Sequence, residues 1–484
     1  MKLYEQVAST VKDRIDLGYY HEGDKLPSVR GLSQEHGVSI STVQEAYGLL
    51  IDAGIIESRP KSGYYVLLQQ TPPELPATSN PAPQPLVVAH WQKLKDMINE
   101  YGNHTATKLS LALPDTQAPT LKPLTRLMSE LSRNANCNIL DYELAAGSDP
   151  LRHQIARVMV DSGCRVHPDE IIITSGCQEA LSCSLRAVTE PGDIVVVDSP
   201  SFFGSVQAIK INGVKALEIP TNPETGISLE ALEMAFEQWP IKACLLTPTN
   251  NNPLGYSMPD SHKLRLLELL NRYDIPLIED DVYGDLSYTL PRPRTVKSFD
   301  TQGRVILCSS FSKSIAPGIR VGWIAPGRYR DHIMMVKYLS SLSTPKLTQM
   351  AVAEFIAQGY YEKHLRKTRI NYLRDRDATI GWLKRDMPEG TRISYPQGGY
   401  LLWVELPEQV DANELNRQAR LEGISIAPGT LFSASGKYKN YMRISVVNSA
   451  HPSMEKAIKT LGRLCKEIQS QALLPEPASL NHPC

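Results

Sequence analysis

The chain has 484 residues, with 51 Lys and Arg against 52 Asp and Glu, for a formal net charge of −1. That length exceeds what one hydrophobic core organises, so two or more domains are expected. The balanced charge excludes a polybasic chain, so any affinity for DNA has to be local; no run reaches the ~20 apolar residues of a membrane helix.

Hydrophobic content, 42%, is that of an ordinary globular protein. The 8 cysteines are scattered, with no C-x-x-C pair and no His/Cys cluster at zinc spacing. No metal site is expected, and the thiols read as free in a reducing cytoplasm. Met1 to Glu5 contains no apolar stretch, so no secretory leader is expected, and Cys484 forms no prenylation box.

The N-terminal segment, residues 1–68, reads as three helices and a hairpin. Leu3, Val7, Val11, Ile15 and Leu17 recur near helical spacing, which predicts an amphipathic first helix. Gly18 and Gly23 end it. Ser28 is placed to cap a short helix from Val29 to His36, and Gly37 suits the tight turn that follows. Ser39 caps a third helix running to about Ala53, with Val43, Ala46, Tyr47 and Leu50 on its apolar face. Helix, glycine turn, helix is the helix-turn-helix pattern. The third helix carries Ser41, Thr42 and Gln44 early on its exposed face, where short polar groups reach phosphates and base edges. The stretch Ile55 to Val66 reads as a hairpin whose tip holds Arg59 and Lys61.

This segment resembles the winged helix-turn-helix of the GntR family. The resemblance rests on Leu26-Pro27-Ser28-Val29-Arg30, on Gly37-Val38-Ser39-Ile40-Ser41-Thr42-Val43, and on Gly54 followed by Ser62-Gly63-Tyr64-Tyr65-Val66. It implies DNA contacts from Arg30, Ser39, Ser41, Thr42, Gln44 and the wing at Lys61. Many members carry arginine where this chain has Ile40, so affinity or base preference should differ.

Residues 69–88 are rich in proline and lack aromatics, which predicts a semi-rigid polyproline spacer. Residues 89–470 alternate strand-like runs with amphipathic stretches. The runs are 171–173, 194–197, 243–246, 275–278 and 305–307; the stretches include 230–239 and 262–272. Such alternation predicts an α/β domain with a mostly parallel sheet sandwiched by helices. Ligands in such domains sit beyond the carboxyl ends of the strands. Residues 471–484 are expected to form a flexible tail without assigned function.

The residues of chemical interest all follow these runs. After 305–307 comes Ser309-Ser310-Phe311-Ser312-Lys313, with Arg320 seven places on. A partly desolvated lysine is a nucleophile toward a carbonyl carbon, Ser310 and Ser312 can donate to phosphate oxygens, and Arg320 can clamp a phosphate bidentately. Thr174-Ser175-Gly176-Cys177-Gln178 opens a helix whose amides can cradle that phosphate. Phe202 could stack on a pyridine ring. In Ile278-Glu279-Asp280-Asp281-Val282-Tyr283, a carboxylate ends a buried strand and needs a cation. A protonated pyridine nitrogen is such a cation. The spacing assigns Asp280 to that nitrogen and Tyr283 to the phenolic oxygen, with Glu279 and Asp281 solvated or structural.

The lysine segment resembles that of the fold-type I, class I aminotransferases, which bind pyridoxal 5'-phosphate. By that resemblance Lys313 holds the cofactor, Asn252 in Asn251-Asn252-Pro253-Leu254-Gly255 meets its phenolic oxygen, and Arg443 binds a substrate α-carboxylate. The segment Tyr142-Glu143-Leu144-Ala145-Ala146-Gly147 resembles one whose tyrosine reaches the phosphate site of a neighbouring subunit, which implies a homodimer. The family usually has glycine where this chain has Ala112, two places before Pro114, and a methyl there should narrow the substrate pocket. Six such motifs in family order extend over some 300 residues. A winged helix joined to such a domain resembles the MocR subfamily of GntR regulators. That resemblance implies an operator-binding regulator that senses an amino compound or the cofactor; an active aminotransferase with an accessory DNA-binding domain is the alternative.

Overall fold

The computed structural model describes residues 3–21, 23–59, 62–67, 72–78, 84–87, 107–133 and 138–472. Helix α1 (Leu3–Asp16) buries Val7, Ala8, Val11 and Ile15, while Leu17 lies beyond its end and is exposed. Helix α2 (Val29–His36) starts at Ser28, whose hydroxyl accepts from Gly31 N, and stops at Gly37 with φ 63°. Helix α3 (Ile40–Asp52) starts at Ser39, whose hydroxyl accepts from Thr42 N. Strands β1 (Ile56–Arg59) and β2 (Gly63–Val66) pair antiparallel, with Ile56 opposite Val66. Val43, Ala46, Tyr47 and Leu50 of α3 meet α1, Leu32 and the hairpin in one core. Tyr47 takes its ring into that core, and its phenol donates to Pro27 O at 2.7 Å, which satisfies that polar atom.

Of the proline-rich segment, residues 72–78 lie against the large domain. Ile393 N donates to Glu74 O at 2.9 Å, Arg392 pairs with Glu74 at 2.8 Å, and Ala77 N donates to Glu405 at 2.8 Å. Leu86 forms a bridge to Ala216.

The large domain begins with β3 (Thr107–Lys108) and is built on an eight-stranded sheet. Its strands are β4 (Ile172–Thr174), β5 (Ile194–Ser199), β6 (Lys215–Asn222), β7 (Gly226–Ile227), β8 (Ile241–Leu246), β9 (Leu277–Asp280), β10 (Val305–Ser310) and β11 (Gly322–Ala325). The order is β4-β11-β10-β9-β8-β5-β6-β7. Pairs among β5, β6, β8, β9 and β10 are parallel; β11 is antiparallel to both neighbours, and so is β7 to β6. Val195, Val197, Ala243, Ile278 and Ile306 pack on one face of the sheet, and Val196, Cys244, Leu277 and Val305 on the other. Burial on both faces explains the continuous apolar runs.

A smaller C-terminal part follows. Strands β12 (Arg392–Ile393), β13 (Leu401–Glu405), β15 (Ala427–Pro428) and β16 (Tyr441–Ser445) form a four-stranded antiparallel sheet, and β14 (Ile424–Ser425) pairs with β3. The helices Tyr360–Asp386 and Pro452–Ala472 pack together over it.

Because β4 runs in the same sense as the parallel strands, the ends of β4, β5, β8, β9 and β10 share one edge of the sheet. Thr174, Ser199, Leu246, Asp280 and Ser310 therefore converge there. Among the described residues no helix is long and apolar enough to cross a membrane.

Candidate functional site

At this edge lies a cavity of about 130 Å³, lined by Cys177, Gln178, Leu181, Phe202, Thr247, Asn252, Asp280, Val282, Tyr283, Ser310, Ser312, Lys313 and Arg320. Five separate strand ends thus deliver most of the cofactor residues singled out in sequence to one space.

Lys313 Nζ donates to Ala112 O at 2.8 Å. Burial, reinforced by the nearby Arg443 guanidinium and opposed by Asp280, lowers its pKa to about 8. A larger share of this amine is therefore neutral near pH 7 than in an ordinary lysine. Burial pushes the Asp280 carboxyl up to about 6. Its hydrogen bonds, from Val282 N at 3.2 Å and the Cys177 thiol at 3.6 Å, both fall on Oδ1. Among the described residues Oδ2 accepts no hydrogen bond and is open to a cation.

Arg320 closes the other side. It donates to Ser175 O at 2.5 Å and to Ser312 Oγ at 3.4 Å. The guanidinium lies so close to the turn that a Cβ on Gly176 would fall 2.4 Å from Nη2, and Gly176 has φ +88°. Only glycine fits this position. The helix Cys177–Val188 starts there with no side-chain cap, so its first amides and its dipole point at the cavity.

Arg443, on β16, is wholly buried behind the cavity. It donates to Asn252 Oδ1 at 3.4 Å and to Ser110 O, and its guanidinium lies 5.1 Å from the Phe432 ring centre and 5.7 Å from that of Phe203. Aromatic faces hold a desolvated guanidinium in place. The turn that carries Asn252 is fixed by Asp198. Its buried carboxylate, raised to about 6 by burial, accepts from Thr247 N at 3.1 Å, Asn251 Nδ2 at 3.3 Å and Tyr256 OH at 2.9 Å.

Of the two roles left open for Glu279 and Asp281, solvated or structural, the structure has the second: both are buried. Glu279 accepts from Val296 N at 2.8 Å and Lys297 N at 2.9 Å, while Asp281 pairs with the buried Arg292 at 2.6 Å. Burying a carboxylate is costly, and these partners offset the cost locally. The Ala112 methyl packs against the apolar core, and the cavity-side contact of this residue is its carbonyl, which accepts from Lys313 and from Tyr400 OH at 3.3 Å. Tyr142 is 84% exposed and does not line this chain's cavity. Sequence reading missed Leu181, Thr247 and Val282 in the lining, and Ser110, Phe203 and Phe432 around Arg443. Thr247 follows β8 directly, so the strand-end rule could have found it; Ser110 and Phe432 lie in no recognisable motif.

In the N-terminal unit, Arg30, Ser39, Ser41 and Gln44 are exposed and Thr42 is half-buried. Ser39 Oγ also lies 2.8 Å from Ser41 Oγ and 2.7 Å from Thr42 Oγ1, so it organises the start of α3 as well as capping it. Ile40 is 46% exposed on the same turn. At the wing, Arg59 pairs with Glu57 at 2.7 Å and stacks on Tyr65. Lys61 lies outside the described residues.

The donor set fits pyridoxal phosphate: a lysine amine of lowered basicity, a buried carboxylate with a free oxygen for a ring cation, and a helix start with an arginine for a phosphate. Fold and site together define a fold-type I, pyridoxal-phosphate-binding aminotransferase-like domain behind a DNA-binding unit. The family profile "Aminotransferase class I and II" matches residues 106–461, and "Bacterial regulatory proteins, gntR family" matches residues 3–66. The chain is 49% identical over 463 residues to the uncharacterized HTH-type transcriptional regulator YjiR of Escherichia coli, spanning 96% of this chain and 98% of that protein. It is 25% identical over 432 residues to the probable rhizopine catabolism regulatory protein MocR of Rhizobium meliloti, spanning 88% and 86%. Among solved structures it resembles the Pyrococcus horikoshii kynurenine aminotransferase in complex with PMP, with a TM-score of 0.71, 31% identity, and 78% and 94% of the two chains covered. The chain belongs to the GntR-type transcription regulators that carry a class I and II aminotransferase domain, the group that includes MocR.

Proposed function

We propose that this regulator binds its operator through α3 and the wing, and that its large domain senses an amino compound, or the cofactor itself, at the Lys313 cavity. The observation that carries the reading is the union in one chain of an exposed recognition helix with a cavity chemically complete for the cofactor. Pyridoxal phosphate supplies an electron-poor ring and a carbonyl carbon open to amines. Lys313 Nζ would be the group that bonds to it. Asp280 would keep a proton at the ring nitrogen, Asn252 and Tyr283 would meet its phenolic oxygen, and Phe202 would flank the ring. Arg320, Ser310, Ser312 and the amides of Gly176, Cys177 and Gln178 would hold its phosphate. Arg443 fixes the carboxylate of an incoming amino acid, a fork that lysine does not reproduce. In the reader, Arg30, Ser41, Thr42, Gln44 and Lys61 contact DNA, with Ser39 ordering the helix start.

The protein acts as a homodimer, so its operator carries a repeat. Support comes from two exposed apolar segments. One is Leu140, Tyr142 and Leu144; the other is Met335, Tyr338 and Leu339 on the helix Arg330–Ser341. That helix touches the phosphate turn through Ser341, which donates to Glu179, and Glu179 accepts from Ser175 N. A second copy seated there would bring its own Tyr142 segment close to the site.

A second reading, an active aminotransferase, is favoured by the presence of every group the reaction needs and by relatives such as the aromatic-amino-acid aminotransferase 1 of Thermococcus litoralis, 31% identical over 372 residues. Visible absorption, recorded as amino acids are added singly and paired with an assay for released keto acid, separates the two. A spectral change that stops without keto acid supports sensing; steady release of keto acid supports the enzyme.

A further inference from the structure

A second and larger concavity, about 860 Å³, lies at the opposite end of the main sheet. Its walls come from residues 160–170 ahead of β4, residues 294–303 ahead of β10, and residues 325–328 leaving β11. Val305 opens β10 at this end and Ser310 closes it at the cofactor end. A strand of that length keeps the two sites roughly 20 Å apart.

Four cationic side chains reach the cavity, Arg165, Arg294, Lys297 and Arg328, against two acids, Glu170 and Asp300. The acids are engaged. Asp300 accepts from Val305 N at 2.8 Å, Gln302 N at 3.0 Å and Lys297 Nζ at 3.3 Å, and Glu170 accepts from His167 N at 3.3 Å. Arg328 meets Asp274 at 3.1 Å. Arg165 and Arg294 differ. Among the described residues, Arg165 has no hydrogen-bond or ion-pair partner, and the Arg294 guanidinium has only a ring contact, 4.0 Å over Phe299.

Two glycines of the wall pack backbone to backbone: a Cβ on Gly327 would sit 2.3 Å from Gly303 O, so this part of the wall is fixed by close packing. Surplus positive charge, two guanidiniums without anionic partners among the described residues and a closely packed wall together select an anion. A guanidinium fork matches phosphate in geometry as well as charge. The volume falls in the usual range for small-molecule sites, and Arg165 and Arg294 are exposed at its rim.

We propose that this cavity is a second ligand site, for a small phosphorylated molecule held by Arg165 and Arg294. Pyrophosphate is the probe, titrated by calorimetry into full-length protein already loaded with pyridoxal phosphate, so that the Lys313 cavity is filled. The expected result is saturable binding that Arg165→Ala with Arg294→Ala weakens at least tenfold while the visible cofactor spectrum is unchanged. A parallel measurement needs no variant: pyrophosphate should protect Arg165 and Arg294 of the wild-type protein from phenylglyoxal, read by peptide mass spectrometry. No binding to the loaded wild type, equal binding by the double variant, or modification of both arginines unaltered by pyrophosphate would overturn the assignment.

Discussion

The N-terminal unit and the cofactor cavity solve opposite problems. In the first, the proposed DNA-contacting groups are short and near one another in sequence: Ser41 and Gln44, exposed, and Thr42, half-buried, stand on one helix whose start Ser39 sets locally. In the second, they are largely buried, distant in sequence, and meet only because five strands end at one edge. Exposure leaves the reader's side chains at ordinary chemistry and free to match DNA. Burial changes what the cavity's groups are, bringing Lys313 down to about 8 and Asp280 up to about 6. Substitutions should therefore act locally and additively in the reader, and through shifted equilibria in the cavity.

The largest expected effect is at Lys313. Lys313→Ala should abolish cofactor fixed to the protein by borohydride, with circular dichroism unchanged; any trapped cofactor at another residue refutes the assignment. Next comes Asp280→Asn, which leaves a ring cation without its carboxylate. Cofactor affinity, measured by equilibrium dialysis, should fall on the order of a hundredfold, as when one partner of a buried charge pair is removed. Thr42→Ala combined with Gln44→Ala should weaken operator binding by ~1–3 kcal/mol per lost base contact and leave the cofactor spectrum untouched. An unaltered gel shift means that α3 does not read the bases. The smallest effect is a pH shift. Attachment needs the neutral amine, so its rate should rise with pH through about 8. Arg443 disfavours the ammonium form, so Arg443→Gln should raise the Lys313 pKa and move that midpoint to higher pH, by under about one pH unit. A midpoint that moves down contradicts the electrostatic role of Arg443.

The two regions also differed in how far sequence could describe them. Every helix of the reader was legible because its signals are local: Ser28, Gly37 and Ser39 mark the ends of α2 and the start of α3, and the structure uses each of them so. Strands β4, β5, β8, β9 and β10 were equally legible, since burial on both faces writes them as apolar runs, whereas β6, with Lys215, Glu218 and Pro220 in it, carries no such run. Asp280 and Lys313 were found because a charged residue at such a strand end is conspicuous. The antiparallel β11 was not foreseen: Gly322 to Ala325 is short and follows the Lys313 loop without a helix, and only pairing with β4 and β10 makes it a strand. Ser110 and Phe432 stayed invisible for a related reason. They act by touching Arg443 across more than 300 residues or from a neighbouring loop, and neither contact leaves a local pattern. Sequence left Glu279 and Asp281 between a solvated and a structural role, because the groups that engage them, the amides of Val296 and Lys297 and the side chain of Arg292, are set by tertiary packing.

The most direct test joins the two regions in one assay. Operator fragments can be selected from random duplex with the protein itself, and their affinity measured with and without the amino acid that changes the visible spectrum. That amino acid should alter operator affinity for the wild-type protein and have no effect on Lys313→Ala. Equal affinities for both proteins under all conditions would show that the cofactor cavity does not govern DNA binding.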